Sequence, residues 1–220
     1  MRVSDFIDFD TLAYKWDVIE SVPEFAKLKE CKQNPKWHSE GTAWDHTKRV
    51  CEEAFKLGTE IYRLNDLHLL LASALFHDIG KGTTTFFKEK DQLWHAYGHE
   101  VESERITREL LADEENKDMV DAICKLVRWH MVPLDIKKSK HKGQKILELA
   151  EKINPTTEDY NHTYNASFEV LIDLKLCDVW GSDQMDTDSK SDDVAWLLKL
   201  FGVVKELGLS HWFPAALLEL

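Results

Sequence analysis

An apolar run, Leu69-Leu70-Leu71-Ala72-Ser73-Ala74-Leu75, ends in Phe76-His77-Asp78-Ile79, with Gly80 and Lys81 directly behind it. The run predicts a helix buried in the core. Two ionisable side chains at the end of a buried helix cost free energy unless other groups satisfy them. Any fold this chain adopts must therefore bring polar partners to that helix end. Further His and Asp residues stand at positions suited to the task.

The rest of the pattern is almost wholly helical. Helices are predicted over about 5–19 and 23–31, the second with Ser21 as cap and Pro23 in its first turn. Gln33 to Gly41 reads as loop, and Thr42 then caps a helix to about Leu57, with Asp45 as the capping-box acid. Asn65 and Asp66 open the apolar helix, and Gly80 closes it as a C-cap. A polar loop over roughly 81–95 carries a candidate strand pair within 83–94. Helices follow at about 97–112, 115–131, 143–153, 165–180 and 191–207, two of them ended by Pro133 and Pro155. Trp212-Phe213-Pro214 suggests a short terminal turn. The expected fold class is all-α, an orthogonal helical bundle. The expected organisation is a single domain over 1–220, its core at about 20–180 and a C-terminal helical appendage at about 190–220.

Composition narrows the partners. A net charge of −12 argues against broad binding of duplex nucleic acid, which needs an extended basic surface. It leaves room for phosphorylated substrates, because a metal ion and a few local cations override global charge. One basic run, Lys137 to Lys145, keeps a polynucleotide contact open beside its plainer reading as a solvated loop. The N-terminus has no secretory h-region, and no stretch is apolar for long enough to span a membrane. Cys31, Cys51, Cys124 and Cys177 are widely spaced and read as buried free thiols. The expected location is cytoplasmic.

Candidate ligands then fall on the helices. His46 shares a face with Val50, Ala54 and Leu57; His99 with Ser103, Ile106 and Leu110; His130 with Met119, Ile123, Leu126 and Val127. Asp178 lies within about 40° of Leu171 and Leu174, while Asp173 points nearly the opposite way. A lone His on an apolar face is ordinarily a satisfied core residue. Convergence of four histidines and two aspartates on core-facing or helix-terminal positions points to a metal site. Imidazole and carboxylate suit Zn, Mn, Fe, Ni or Co.

The order His46, His77-Asp78, Asp178 resembles the HD superfamily of metal-dependent phosphohydrolases. More closely, Gln33-Asn34-Pro35, His38 to Thr47, Ala74 to Lys81 and Tyr97-Gly98-His99-Glu100 look like the HD domain attached to bacterial tRNA nucleotidyltransferases. The likeness covers roughly 20–180. No Gly-Ser plus Asp-x-Asp block precedes it, so a free-standing HD protein is expected. The resemblance implies that His46, His77, Asp78 and Asp178 hold one metal, with Asp183 and Asp186 following closely as rivals for the last position. It further implies that His99 and His130 hold a second ion, with Asp78 bridging. The cofactor is then one or two divalent transition-metal ions, with Mg also compatible.

The implied chemistry is hydrolysis of phosphate mono- or diesters, cyclic ones included and nucleotides foremost, with Asp78 and Lys81 as catalytic residues. Lys81 is the natural cation to hold a phosphate oxygen, beside its plainer reading as an exposed lysine complementing the helix dipole; Arg49, Arg105 and Arg128 are secondary candidates, each more readily a surface or ion-pair residue. His38 and His95 read more readily as surface histidines than as substrate contacts. Trp37, Trp44 and Trp94 cluster near ligand-bearing segments, where stacking on a nucleobase competes with packing, and packing is the better reading for Trp44. Two other readings stay open: an HD-fold di-iron oxygenase, and a non-catalytic nucleotide-binding domain. The Gly80-Lys81 and Gly98-His99-Glu100 contexts favour the hydrolase.

Overall fold

The computed structural model describes residues 1–58, 63–154, 162–183 and 187–206. Its centre is the apolar helix, α5 (Leu64–Phe76), buried at every position from Leu67 to Phe76. Three others enclose it: α4 (Ala43–Gly58), α8 (Lys117–Trp129) and α11 (Phe168–Gly181). The rest of the described helices are α1 (Val3–Phe6), α2 (Trp16–Ser21), α3 (Pro23–Leu28), α6 (Lys81–Thr84), α7 (His99–Leu110), α9 (Val132–Lys137), α10 (Lys142–Ile153) and α12 (Thr187–Glu206). Two small antiparallel pairs complete the described elements: β1 (Ile7–Asp8) with β2 (Ala13–Tyr14), and β3 (Phe86–Lys88) with β4 (Leu93–His95). The fold is an all-α helical bundle. The second pair falls within the loop where the sequence left room for one.

Local chemistry sets where the site-bearing helices begin. Thr42 and Asp45 form a reciprocal box at the start of α4: Thr42 N–H donates to Asp45 Oδ2 at 2.9 Å, and Asp45 N–H donates to Thr42 Oγ1 at 3.2 Å. This fixes the first turn one residue before His46. Ser167 caps α11, its hydroxyl accepting from Val170 N–H at 3.2 Å. At the other end of α11, Gly181 lies against α4; a Cβ there would stand 2.9 Å from Val50 N. Phe76, at the end of α5, meets Phe6 at 5.4 Å and Phe25 at 5.6 Å between ring centroids. Edge and tilted ring pairs of this kind add about 0.5–1.5 kcal/mol each beyond burial. They anchor the helix end on which His77 and Asp78 follow.

Four local expectations change. Ser21 does not cap α3; it ends α2 with its hydroxyl donating to Val18 O, and Val22 holds the cap position. Residues 5–19 do not form one helix. Asp8 Oδ1 accepts from Asp10 N–H and Thr11 N–H, and Leu12 takes φ 59°, so the chain turns between β1 and β2. Gly80 is not a left-handed cap; its φ is −67°, and α5 has already ended at Phe76. A glycine is needed there because a Cβ would stand 2.4 Å from His99 O and 2.5 Å from Ser103 N. Pro133 opens α9 and does not end α8, which stops at Trp129. Pro155 and Trp212-Phe213-Pro214 lie outside the described residues.

Candidate metal centre

Five segments send ionisable side chains to one place. His46 comes from the first turn of α4, His77 and Asp78 from the end of α5, His99 from the start of α7, His130 from the end of α8, and Asp178 from α11. All six are buried, with His46 and His77 wholly inaccessible.

Three of the histidines are set in the same way. The Nδ1 of His77, His99 and His130 each hydrogen-bonds a carbonyl three residues back, Ala74 O at 2.9 Å, Ala96 O at 2.8 Å and Val127 O at 2.7 Å. A carbonyl only accepts, so each Nδ1 carries the proton and each Nε2 presents a lone pair. Those lone pairs converge. His99 Nε2 lies 3.3 Å from His130 Nε2. His77 Nε2 lies 3.2 Å from Asp78 Oδ2 and has no hydrogen-bond donor. Acceptors facing acceptors in a buried site are unfavourable unless a cation stands among them. The side chains therefore fit a divalent metal, and the carbonyl bonds are the orienting contacts that metal-binding imidazoles use.

Three groups of ligand atoms lie within 4.8 Å of one another: His38, Glu40 and His46; His46, His77 and Asp178; and Asp78, His99 and His130. Asp78 connects the two fully buried groups. Its Oδ2 is 3.2 Å from His77 Nε2 and 3.7 Å from His46 Nε2, while its Oδ1 is 3.2 Å from His99 Nε2 and 3.9 Å from His130 Nε2. Asp178 Oδ1 stands 3.0 Å from His46 Nε2. Of the two rivals for that position, Asp183 turns away to pair with Arg49, and Asp186 lies outside the described residues.

The electrostatics favour positive charge at the centre. Burial alone would raise the Asp78 carboxyl, but the adjoining His77, Lys81 and His99 outweigh it and hold the group well below the ordinary carboxylate range. Asp178 follows the same course, its burial offset by Lys175 and His46. Burial, then the neighbouring His99 and His77, push His130 well below the ordinary imidazole range. His46 goes the other way: its burial is overcome by Asp178 and Glu40, which raise it to about 9. Without an ion, a proton on His46 takes the place that a cation would fill.

A cavity of about 760 Å³ opens onto this cluster, with Asp78, His99, His130 and Asp178 in its wall. Lys81 lines it too, its Nζ 2.7 Å from Asp78 Oδ2 and donating to Gln33 Oε1 at 2.8 Å. Arg49 and Arg128 are not brought there. Arg49 pairs with Asp183, and Arg128 lies 3.5 Å from Glu100 and 3.6 Å from Glu104. Arg105 is likewise held by Glu102 and Glu109. His38, His95, Trp37 and Trp94 line the cavity, whereas Trp44 is a buried core residue. Two residues escaped the sequence reading. Lys175, whose Nζ pairs with Asp178 Oδ2, could have been noticed as a charge in the apolar context Leu174-Lys175-Leu176. Glu40 lies 2.9 Å from His46 Nδ1, a charge contact without hydrogen-bond alignment, and accepts from His38 Nδ1 at 2.8 Å. Glu40 stands within the stretch His38 to Thr47, where nothing local marks a side chain shielded from solvent.

The sequence model of the HD domain family matches residues 43–162, more than half of the chain. The chain belongs to the HD domain family. That match contains His46, His77, Asp78, His99 and His130; Asp178 lies beyond it. HD domains belong to a superfamily of metal-dependent phosphohydrolases, and the His and Asp groups of this HD chain could hold such a metal. Over 88 residues the chain is 41% identical to the Multifunctional CCA proteins of Actinobacillus pleuropneumoniae serotype 5b (strain L20) and serotype 7 (strain AP76). The aligned stretch is 40% of this chain and 20% of each of theirs, so the chain spans about a fifth of the length of the curated relatives it matches. No described helix is long and apolar enough to cross a membrane.

Proposed function

We propose that this HD chain hydrolyses phosphate mono- or diesters, cyclic ones included and nucleotides foremost, with a divalent metal and an activated water. The observation that carries this reading is the Asp78 carboxylate, one oxygen turned to the His46–His77 side and the other to the His99–His130 side, at the floor of a cavity. His46, His77, Asp78 and Asp178 would hold one ion; His99, His130 and the other oxygen of Asp78 would hold a second. Bound there, Mn, Ni, Co, Fe or Zn, or Mg, lowers the pKa of its water and takes up charge on phosphoryl oxygens.

The chain's own residues do the rest. Lys81 keeps its ammonium in the cavity between Asp78 and Gln33, placed to exchange one of those contacts for a phosphate oxygen. Lys175 holds Asp178 in place from the same helix. Glu40 braces His46 from behind. We read residues 1–220 as one HD-type unit, with a C-terminal appendage at about 190–220, and the basic run 137–145 as a candidate polynucleotide contact.

The test is hydrolysis of 4-nitrophenyl phosphate and 2′,3′-cyclic AMP by chelator-treated protein, with Mn, Ni, Co, Mg or no metal added. Metal-dependent turnover is expected with at least one substrate. A protein carrying two irons, with an oxygen-sensitive visible spectrum and no turnover of either ester, would overturn the reading in favour of an oxygenase.

A further inference from the structure

The cavity is larger than a phosphate group needs, and its outer wall is aromatic. At about 760 Å³ it lies within the range of sites that enclose whole organic ligands. Trp37 enters it from the loop before α4, and Trp94, His95 and Tyr97 enter from β4 and the residues after it. These rings are not sunk in the core. Trp37 is 37% exposed and Tyr97 63% exposed, and Phe86 and Phe87 on the facing strand are also exposed.

Each tryptophan is nevertheless held. Trp94 sits opposite Phe87 in the β3–β4 register, with ring centroids 5.2 Å apart. Trp37 follows a turn in which its N–H donates to Asn34 O at 3.0 Å. Cations accompany both: Lys36 Nζ lies 4.7 Å from the Trp37 ring, and Lys32 Nζ lies 5.7 Å from the Trp94 ring and also lines the cavity. The wall is close to the chemistry. Trp37 is three residues before Glu40, which touches His46, so the Cα atoms of Trp37 and Glu40 are at most about 11 Å apart.

We infer that Trp37 and Trp94 form a stacking subsite for the nucleobase of a nucleotide whose phosphate reaches the Asp78 floor. The inference rests on the phosphohydrolase reading for where the phosphate sits. Flat rings beside lysines suit a ligand that is itself flat and anionic, since every base offers a π-face and every phosphate a negative charge. A sugar phosphate or a phosphoamino acid would leave the indoles without a partner.

The experiment compares AMP with glycerol phosphate, using wild type, Trp37→Ala, Trp94→Ala and Trp94→Phe with Mn. The ratio of kcat/KM for AMP to that for glycerol phosphate should fall about tenfold or more in either alanine variant, chiefly through KM for AMP. Trp94→Phe, which keeps a ring, should restore most of it. A ratio unchanged in both alanine variants overturns the inference. Binding is read separately, by quenching of intrinsic tryptophan fluorescence on AMP addition. If wild type turns over neither AMP nor glycerol phosphate, the monoester part of the hydrolase reading fails. The subsite then stands if AMP quenches wild type with at least tenfold higher affinity than Trp94→Ala, and falls if the two affinities are equal.

Discussion

His99 and His130 face each other through Nε2 atoms 3.3 Å apart, each ring donating its Nδ1–H to a carbonyl three residues back. Neither nitrogen has a donor to offer the other in these tautomers. A divalent cation between them converts a repulsive contact into two ligand bonds. The chelator-treated protein should therefore gain stability on metal addition, by about 2.7 kcal/mol at an ion concentration one hundred times Kd. Calorimetry should show Tm rising by several degrees with Mn or Zn and not with Ca. Elemental analysis should find two ions in wild type and one in His99→Ala and in His130→Ala. A wild type holding one ion would refute the two-ion arrangement.

Asp78 is the residue shared by both ligand groups, so its replacement should be the most damaging. Asp78→Ala and His77→Ala are expected to abolish hydrolysis, and Asp78→Asn, which keeps the shape and removes the charge, to lose metal at both positions. Steady-state assay with metal analysis checks this. Full activity in Asp78→Ala would remove Asp78 from the site.

Glu40 touches His46 from the side away from Asp178. Contacts behind a metal-binding imidazole commonly carry a tenfold to hundredfold effect on metal affinity. Glu40→Gln should weaken metal binding by about that factor while leaving the fold intact by circular dichroism. Binding constants equal to those of wild type would show that Glu40 is only a structural acid.

Gly80 lets the turn after α5 touch α7. A methyl group there meets the backbone at His99 and Ser103, and backbone cannot swing aside as a flexible side chain can. Gly80→Ala should cost about 1–3 kcal/mol in chemical denaturation and displace His99 from its partners. An unaltered midpoint would mean that the turn and α7 separate more easily than their packing implies.

Asp173, on the far side of α11 from Asp178, is raised to about 7, first by burial and then by Glu169 and Asp66. Its protonated form is the one that the fold favours. The stability it contributes is therefore full below the unfolded value, near 4, and is lost as pH rises through about 7. Asp173→Asn should raise Tm over wild type more at pH 8 than at pH 5. A difference independent of pH would show that Asp173 does not titrate with folding.

Much of this was legible in residue order because the signals are local. The all-α class, the box at Thr42 and Asp45, the buried α5 and the candidate ligands on core-facing stripes all depend on spacing within one helix. The break at Asp8 to Leu12 was not legible, because an Asx turn and one positive φ override a pattern that helical periodicity also fits. Nor was the role of Gly80, which is set by a neighbouring helix and not by its own conformation.

By itself the sequence determined the donor types, the helices that bear them and the family they belong to. Only the tertiary structure decided which atoms of those donors, and which neighbours, meet. It turned the two oxygens of Asp78 toward different histidines, brought Lys175 and Glu40 in beside Asp178 and His46, and sent Arg49 and Arg128 to acids outside the cavity. The physical reason is range. Helix-forming preferences act over three or four residues, whereas which lone pair meets which cation depends on how helices far apart in sequence cross.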